Sequence, residues 1–146
     1  MSSLKSIAIV PARFESTRFP GKPLVTIAQK TMIQHVYERA SQAATLCQVL
    51  VATDDERIRA AVRDFGGEAV LTSPDHRSGT DRVAEAAESL AADVVVNIQG
   101  DEPLVTTGHI ETLVRPFLQE PEVQVTTLKI RATPDEVQSH TANGAI

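Results

Sequence analysis

Ser6-Ile7-Ala8-Ile9-Val10, running into Pro11 and then into the loop Ala12-Arg13-Phe14-Glu15-Ser16-Thr17-Arg18-Phe19-Pro20-Gly21-Lys22-Pro23, sets the reading of this chain. A short apolar run closed by proline reads as a buried strand. The loop behind it carries three cations, Arg13, Arg18 and Lys22, against one acid, Glu15. Working outward, the same rhythm repeats. Residues 31–44 read as a helix with Ile33, Val36, Tyr37, Ala40 and Ala44 on one face. Residues 48–53 form a second strand. Asp54 then reads as the cap of a helix over residues 55–65, whose face is Ile58, Ala61, Val62 and Phe65 and which Gly66-Gly67 ends. Residues 68–71 are a short third strand. A helix over residues 81–91 is expected to bury Val83, Ala87, Leu90 and Ala91. Val94-Val95-Val96-Asn97-Ile98 is the most apolar strand. A helix over residues 107–119 follows, which Pro116 should kink or shorten. Val123 to Ile130 reads as a fifth strand.

Strands alternating with helices predict an α/β fold: three layers, a Rossmann-like and mostly parallel sheet with helices on both faces. The 146 residues fit one domain, 1–146. Apolar residues at 42% can build a core, and aromatics at 3% leave it to Val, Ile, Leu and Ala. A net charge of -5 argues against general affinity for nucleic acid or an anionic membrane. No apolar run reaches the ~18 residues of a membrane span. Cys47 stands alone, so no intrachain disulfide is expected and a reducing compartment, the cytoplasm, fits.

In parallel sheets, ligands sit beyond the carboxyl ends of the strands. Three loops leave such ends: residues 11–23, 72–79 and 99–104. In the first, Arg offers paired donors and Lys a compact charge, a set that suits a polyphosphate. Neither the Walker pattern G-x-x-x-x-G-K-S/T nor G-x-G-x-x-G occurs. An ordinary solvated basic loop has the same composition. In the third loop, Gln99-Gly100-Asp101-Glu102-Pro103, Asp101 is placed to hold Mg²⁺, which takes one or two carboxylates plus phosphate oxygens. The alternative is a turn in which Asp101 bonds nearby backbone. In the second loop, Ser78, Gly79 and Thr80 stand at a helix start, where they can contact a nucleotide or simply cap the helix. His76 reads as a loop hydrogen-bonder, with no second His or Cys at ligand spacing. Glu85 and Glu88 read as solvated.

Taken in order, the loops are more specific than any one alone. Residues 9–24, then Val51-Ala52-Thr53-Asp54-Asp55, His76-Arg77-Ser78-Gly79-Thr80-Asp81-Arg82 and Asn97-Ile98-Gln99-Gly100-Asp101-Glu102-Pro103 resemble the sugar-nucleotide cytidylyltransferases. Within that family they look most like the enzymes acting on the keto-deoxy sugar acid 3-deoxy-manno-octulosonate (Kdo). The resemblance covers about residues 6–131. It implies the fold of the nucleotide-diphospho-sugar transferases, and transfer of CMP from CTP to Kdo with release of pyrophosphate and with Mg²⁺, for lipopolysaccharide synthesis. By matching positions, Arg13 and Lys22 would be the catalytic cations. Pro11, Ala12 and Arg18 would support substrate binding, and Ser78, Gly79 and Thr80 would line the cytidine pocket. Arg82 would lie near nucleotide or sugar, Gln99 would face the sugar, and Asp101 would bind Mg²⁺.

The resemblance also implies a longer enzyme, a homodimer or other self-association, and a second metal-binding acid. The chain therefore reads as the nucleotide-binding part of an enzyme shortened near residues 141–146, with Asn143 a remnant of an Asn-rich turn. The alternatives are a CTP-binding or assembly module without catalysis, and an enzyme using sialic acid or 8-amino-Kdo. A glycosyltransferase-type metal site fits less well, because a donor already activated as a nucleotide sugar needs no basic triphosphate loop.

Overall fold

The computed structural model describes residues 4–129, 131 and 133–135. Strand β1 (Ser6–Ala12) is buried along its whole length. A single 3-10 turn (Lys22–Leu24) and a small hairpin, β2 (Thr26–Ile27) and β3 (Lys30–Thr31), lead into helix α1 (Met32–Ser41). Then follow β4 (Gln48–Thr53), α2 (Glu56–Asp64), β5 (Ala69–Leu71), α3 (Gly79–Glu88), β6 (Val94–Asn97) and α4 (Thr107–Gln119).

The main sheet has the order β5-β4-β1-β6, and each neighbouring pair is parallel. Alternation of side chains along the strands gives each face its own core. On one face, Ala8, Val10, Val49, Val51, Val94 and Val96 pack under Ile33 and Val36 of α1, Ile58 and Val62 of α2, and Ile110 and Val114 of α4. On the other, Ile7, Ile9, Leu50 and Ala52 meet Val83 and Ala86 of α3. The three-layer α/β expectation holds. The chain moves outward from β1 to β4 and β5, then returns to place β6 on the other side of β1. That reversal opens a crevice between β1 and β6 at their carboxyl ends, the usual ligand position in such sheets.

Helices α1 to α4 each begin at a side-chain cap. Thr31 accepts from Gln34 N, Asp55 from Arg57 N, Ser78 from Asp81 N, and Thr106 forms a capping box with His109. Asp55, not Asp54, therefore caps α2. Gly66, at φ 83°, follows the Phe65 cap as expected.

Several expectations shift. Helix α1 stops at Ser41, so the chain leaves the helical period and buries Ala43 while Ala44 is exposed. Helix α3 begins earlier than expected and buries Ala86, leaving Ala91 exposed beyond its end. Strand β6 forms one edge of the sheet among the described residues, so Val94 and Val96 are buried while Val95 is exposed. Pro116 lies inside α4 without shortening it. Residues 123–129 form no strand, since no described strand lies beside them. Ile130 and Asn143 lie outside the described residues.

Candidate active site

The crevice between β1 and β6 is a cavity of about 840 Å³. Its walls come from the loops leaving β1 and β6 and from the segment leading into α3. Pro11 and Ala12 form its floor as the last residues of β1, and Arg13 and Arg18 stand exposed on the loop that follows. A backbone bond from Gly21 N to Phe14 O (2.8 Å) closes that loop on itself. Gly21 takes a left-handed φ of 73°, and its α-carbon packs so close to the Phe14 ring that a Cβ would sit 3.0 Å from it. The guanidinium of Arg57 stacks on the Phe14 ring at 3.3 Å, and Asp55 holds Arg57 through two side-chain bonds of 2.9 and 2.6 Å. The first turn of α2 thus braces the basic loop.

Lys22 and Asp101 meet across the mouth of the cavity, Nζ to Oδ2, at 2.9 Å. Both side chains are about half exposed (46% and 51%), so the pair is a weak link between the two loops. Gly100 makes the approach possible. A Cβ there would lie 2.9 Å from Pro11 O, so only glycine lets this loop rest on the end of β1. Gln99 also lines the cavity and donates to Asn97 Oδ1 at 3.2 Å. Among the described residues, no cluster of three or more His, Cys, Asp or Glu is placed to hold a metal ion. Asp101 alone fits a hard cation only if phosphate oxygens and water complete its shell, as is usual for Mg²⁺.

The third wall is held from α3. Ser78 and Gly79 line the cavity, and Ser78 Oγ is also the helix cap, donating to Asp81 Oδ2 at 2.7 Å. Thr80 lies in the first turn of α3 and is not part of the cavity wall. Arg82 lines the cavity, but its side chain is 4% exposed and its guanidinium is engaged. Nη1 donates to Thr72 Oγ1 (2.5 Å) and Ser73 O (3.2 Å), and Nη2 lies 3.6 Å from Asp54 Oδ2. A buried cation needs such partners, and they tie β4, β5 and α3 together behind the cavity. One turn on, Glu85 is partly exposed, as expected, but it is also engaged. It accepts from Ser73 N at 3.0 Å and pairs with Nε2 of His76, which faces the cavity. The His76 bond, then the Ser73 bond, hold the Glu85 carboxyl below the usual glutamate range.

Ten of the eleven residues singled out in the sequence thus meet in one cavity, Thr80 being the exception. Sequence reasoning missed the cavity residues Ser16, Thr17 and Arg77 and the supporting Asp54, Arg57 and Glu85. The available signal was Arg82 and Glu85 at i and i+3, two charges on one helix face next to the loop they hold.

The parallel sheet with a reversal at β1, and the cavity opening there, match the α/β fold of solved cytidylyltransferases. The family model for cytidylyltransferases matches residues 7–145, and the chain belongs to that family. It is 61% identical over 114 residues to the 3-deoxy-manno-octulosonate cytidylyltransferase of Syntrophobacter fumaroxidans, covering 76% of this chain and 46% of that protein. It is 54% identical over 124 residues to the protein of the same name from Geobacter sulfurreducens, covering 85% and 50%. A solved structure of CMP:2-keto-3-deoxy-manno-octonic acid synthetase complexed with CTP superposes with a TM-score of 0.80 at 49% identity, over 82% of this chain and 49% of that one. The chain spans about half the length of the curated relatives it matches.

Proposed function

We propose that this chain provides the nucleotide site of an enzyme that transfers CMP from CTP to Kdo, releasing pyrophosphate. The observation that carries this reading is the convergence of Arg13, Arg18 and Lys22 with the carboxylate of Asp101 on one cavity at the strand-order reversal. Three cations can offset most of the charge of a triphosphate, and the cavity has the size of a nucleotide site. The relatives' names and the CTP complex of the solved neighbour support the same substrates.

In this reading Arg13 and Arg18 grip the phosphates. Lys22 leaves Asp101 to follow the charge that grows on the departing pyrophosphate. A hydroxyl oxygen of the sugar acid attacks the α-phosphorus in line. The α–β bridging P–O bond breaks, and the hydroxyl proton passes to solvent. Positioning and charge carry most of such a transfer. Asp101, freed from Lys22, would hold Mg²⁺ together with phosphate oxygens, and the ion would supply positive charge to the transferring group. Pro11, Ala12, Ser78 and Gly79 would shape the nucleotide pocket, with Thr80 supporting the helix start, Gln99 facing the sugar, and Arg82 acting from behind the wall. A cytoplasmic location is part of the same proposal. No helix among the described residues is long and apolar enough to cross a membrane. Self-association belongs to the same proposal, with the exposed edge of β6 around Val95 as the surface.

The test is pyrophosphate release from CTP, Mg²⁺ and Kdo, with Asp101→Ala as control. Release that disappears in the variant supports the proposal. Release that persists in the variant removes Asp101 from it. A second reading, CTP binding without turnover, draws on the match to only half of each relative. Binding of CTP without pyrophosphate release would favour it.

A further inference from the structure

The proposed mechanism makes no use of the Glu85–His76 pair, yet its placement is specific. Glu85 is outside the cavity wall, on α3, and His76 is part of that wall. The Glu85 carboxylate bridges both ends of a tight turn, accepting from Ser73 N at 3.0 Å and pairing with His76 Nε2. An ionised carboxylate only accepts, so Nε2 must carry the hydrogen. In the neutral ring this leaves Nδ1 as an acceptor. Among the described residues Nδ1 has no hydrogen-bond partner. Arg82, three residues before Glu85, holds Thr72 and Ser73 from the same helix, so the turn cannot easily drift.

We infer that Glu85 is a positioning residue: from outside the cavity it fixes His76 so that Nδ1 serves as an acceptor for a hydrogen-bond donor on the bound nucleoside. The inference rests on reading the cavity as a nucleotide site. The donors at issue are the exocyclic amine of the base and the ribose 2′-hydroxyl. A site that offers a fixed acceptor to such a donor rejects analogues lacking it more strongly than an apolar wall can.

Glu85→Ala provides the test. Glu85 Oε2 accepts from both Ser73 N and His76 Nε2, so alanine removes both bonds, while Arg82 still holds Thr72 and Ser73. The His76 ring is then free to turn and to exchange its tautomer. The first readout is the tautomer of His76 by ¹⁵N NMR in the protein without ligand: hydrogen on Nε2 in the parent and a mixture of the two tautomers in the variant. The second is calorimetric binding of CTP, UTP and 2′-deoxy-CTP. The variant should bind CTP about tenfold more weakly, the size of one hydrogen bond lost at a ligand. The penalty should vanish for UTP if the amine is read, or for 2′-deoxy-CTP if the hydroxyl is. The double variant His76→Asn with Glu85→Ala should lose no more than His76→Asn alone. A parent ring protonated on Nδ1, additive losses, or an equal penalty for all three nucleotides would overturn the inference. A parent chain that binds no nucleotide would overturn the cavity reading as well, while the NMR result tests the positioning independently.

Discussion

Gly100 shows how a single hydrogen atom in place of a side chain sets the site. Its α-carbon rests against the end of β1, with Pro11 O 2.9 Å and Ile33 Cδ1 3.7 Å from where a Cβ would stand. Gly100→Ala must push the loop off the strand, because a backbone carbonyl cannot turn aside. The expected cost is about 1–3 kcal/mol in urea unfolding, with weaker nucleotide binding as Asp101 moves from Lys22. An unchanged midpoint would contradict the packing described. At this scale the cations were legible. Arg13, Arg18 and Lys22 stand out as a basic loop in an acidic chain, directly after a strand. Arg82 was named only through the resemblance, and neither its bracing role nor that of Glu85 was legible, because their partners Thr72, Asp54 and His76 become neighbours only when α3 packs on the sheet. Asp54 and Asp55 look alike in sequence, and only the backbone geometry decides which one caps and which one faces Arg82.

Among the elements, the hairpin of β2 and β3 is the one the sequence concealed. Its two-residue turn puts Ala28 and Gln29 at φ 46° and 71°, where Asn-Gly is the favoured pair. Without that signal the residues read as a loop entering a helix. Side chains in the left-handed region cost about 1 kcal/mol or more each, so Ala28→Asn combined with Gln29→Gly should raise stability by roughly 0.5–1 kcal/mol. Chemical denaturation measures this, and a lower stability would mean that the turn differs from the one described. The hairpin is closed on the cavity side by Met32 N bonding Val25 O at 2.8 Å, and Ala28 and Gln29 are not part of the cavity wall, so binding should be unaffected by changes at the turn tip. Strands β1 and β4 were legible as unbroken apolar runs. The edge position of β6 was not, since it follows from strand order rather than composition. Residues 123–129 are rich in the Val and Thr of strands, but such a stretch makes a strand only beside a partner.

For the whole molecule, charge and fold meet in the carboxylates that hold loops to helices. Glu38 is kept below its usual range by bonds from Lys30 and Gln34, Asp55 by Arg57, and Glu85 by His76 and Ser73. All three are lowered in the folded chain, so the unfolded chain binds more protons in acid. Their stabilisation is present at neutral pH and is lost as pH falls below about 4. The urea midpoint should therefore fall between pH 7 and that range, and a flat profile would show that these bonds contribute nothing. The parallel sheet, the reversal at β1 and the cation-rich cavity join in one claim, that this cavity receives the triphosphate of CTP. Calorimetric titration of CTP into the parent chain and into Lys22→Ala tests it most directly. Lys22 is half exposed, so its loss should shift the unfolding midpoint little, since exposed pairs contribute about 0.2–1 kcal/mol. The account predicts saturable binding by the parent and at least about tenfold weaker binding by the variant, the effect of one charged contact to phosphate. Equal binding by both, or none by the folded parent, would contradict it.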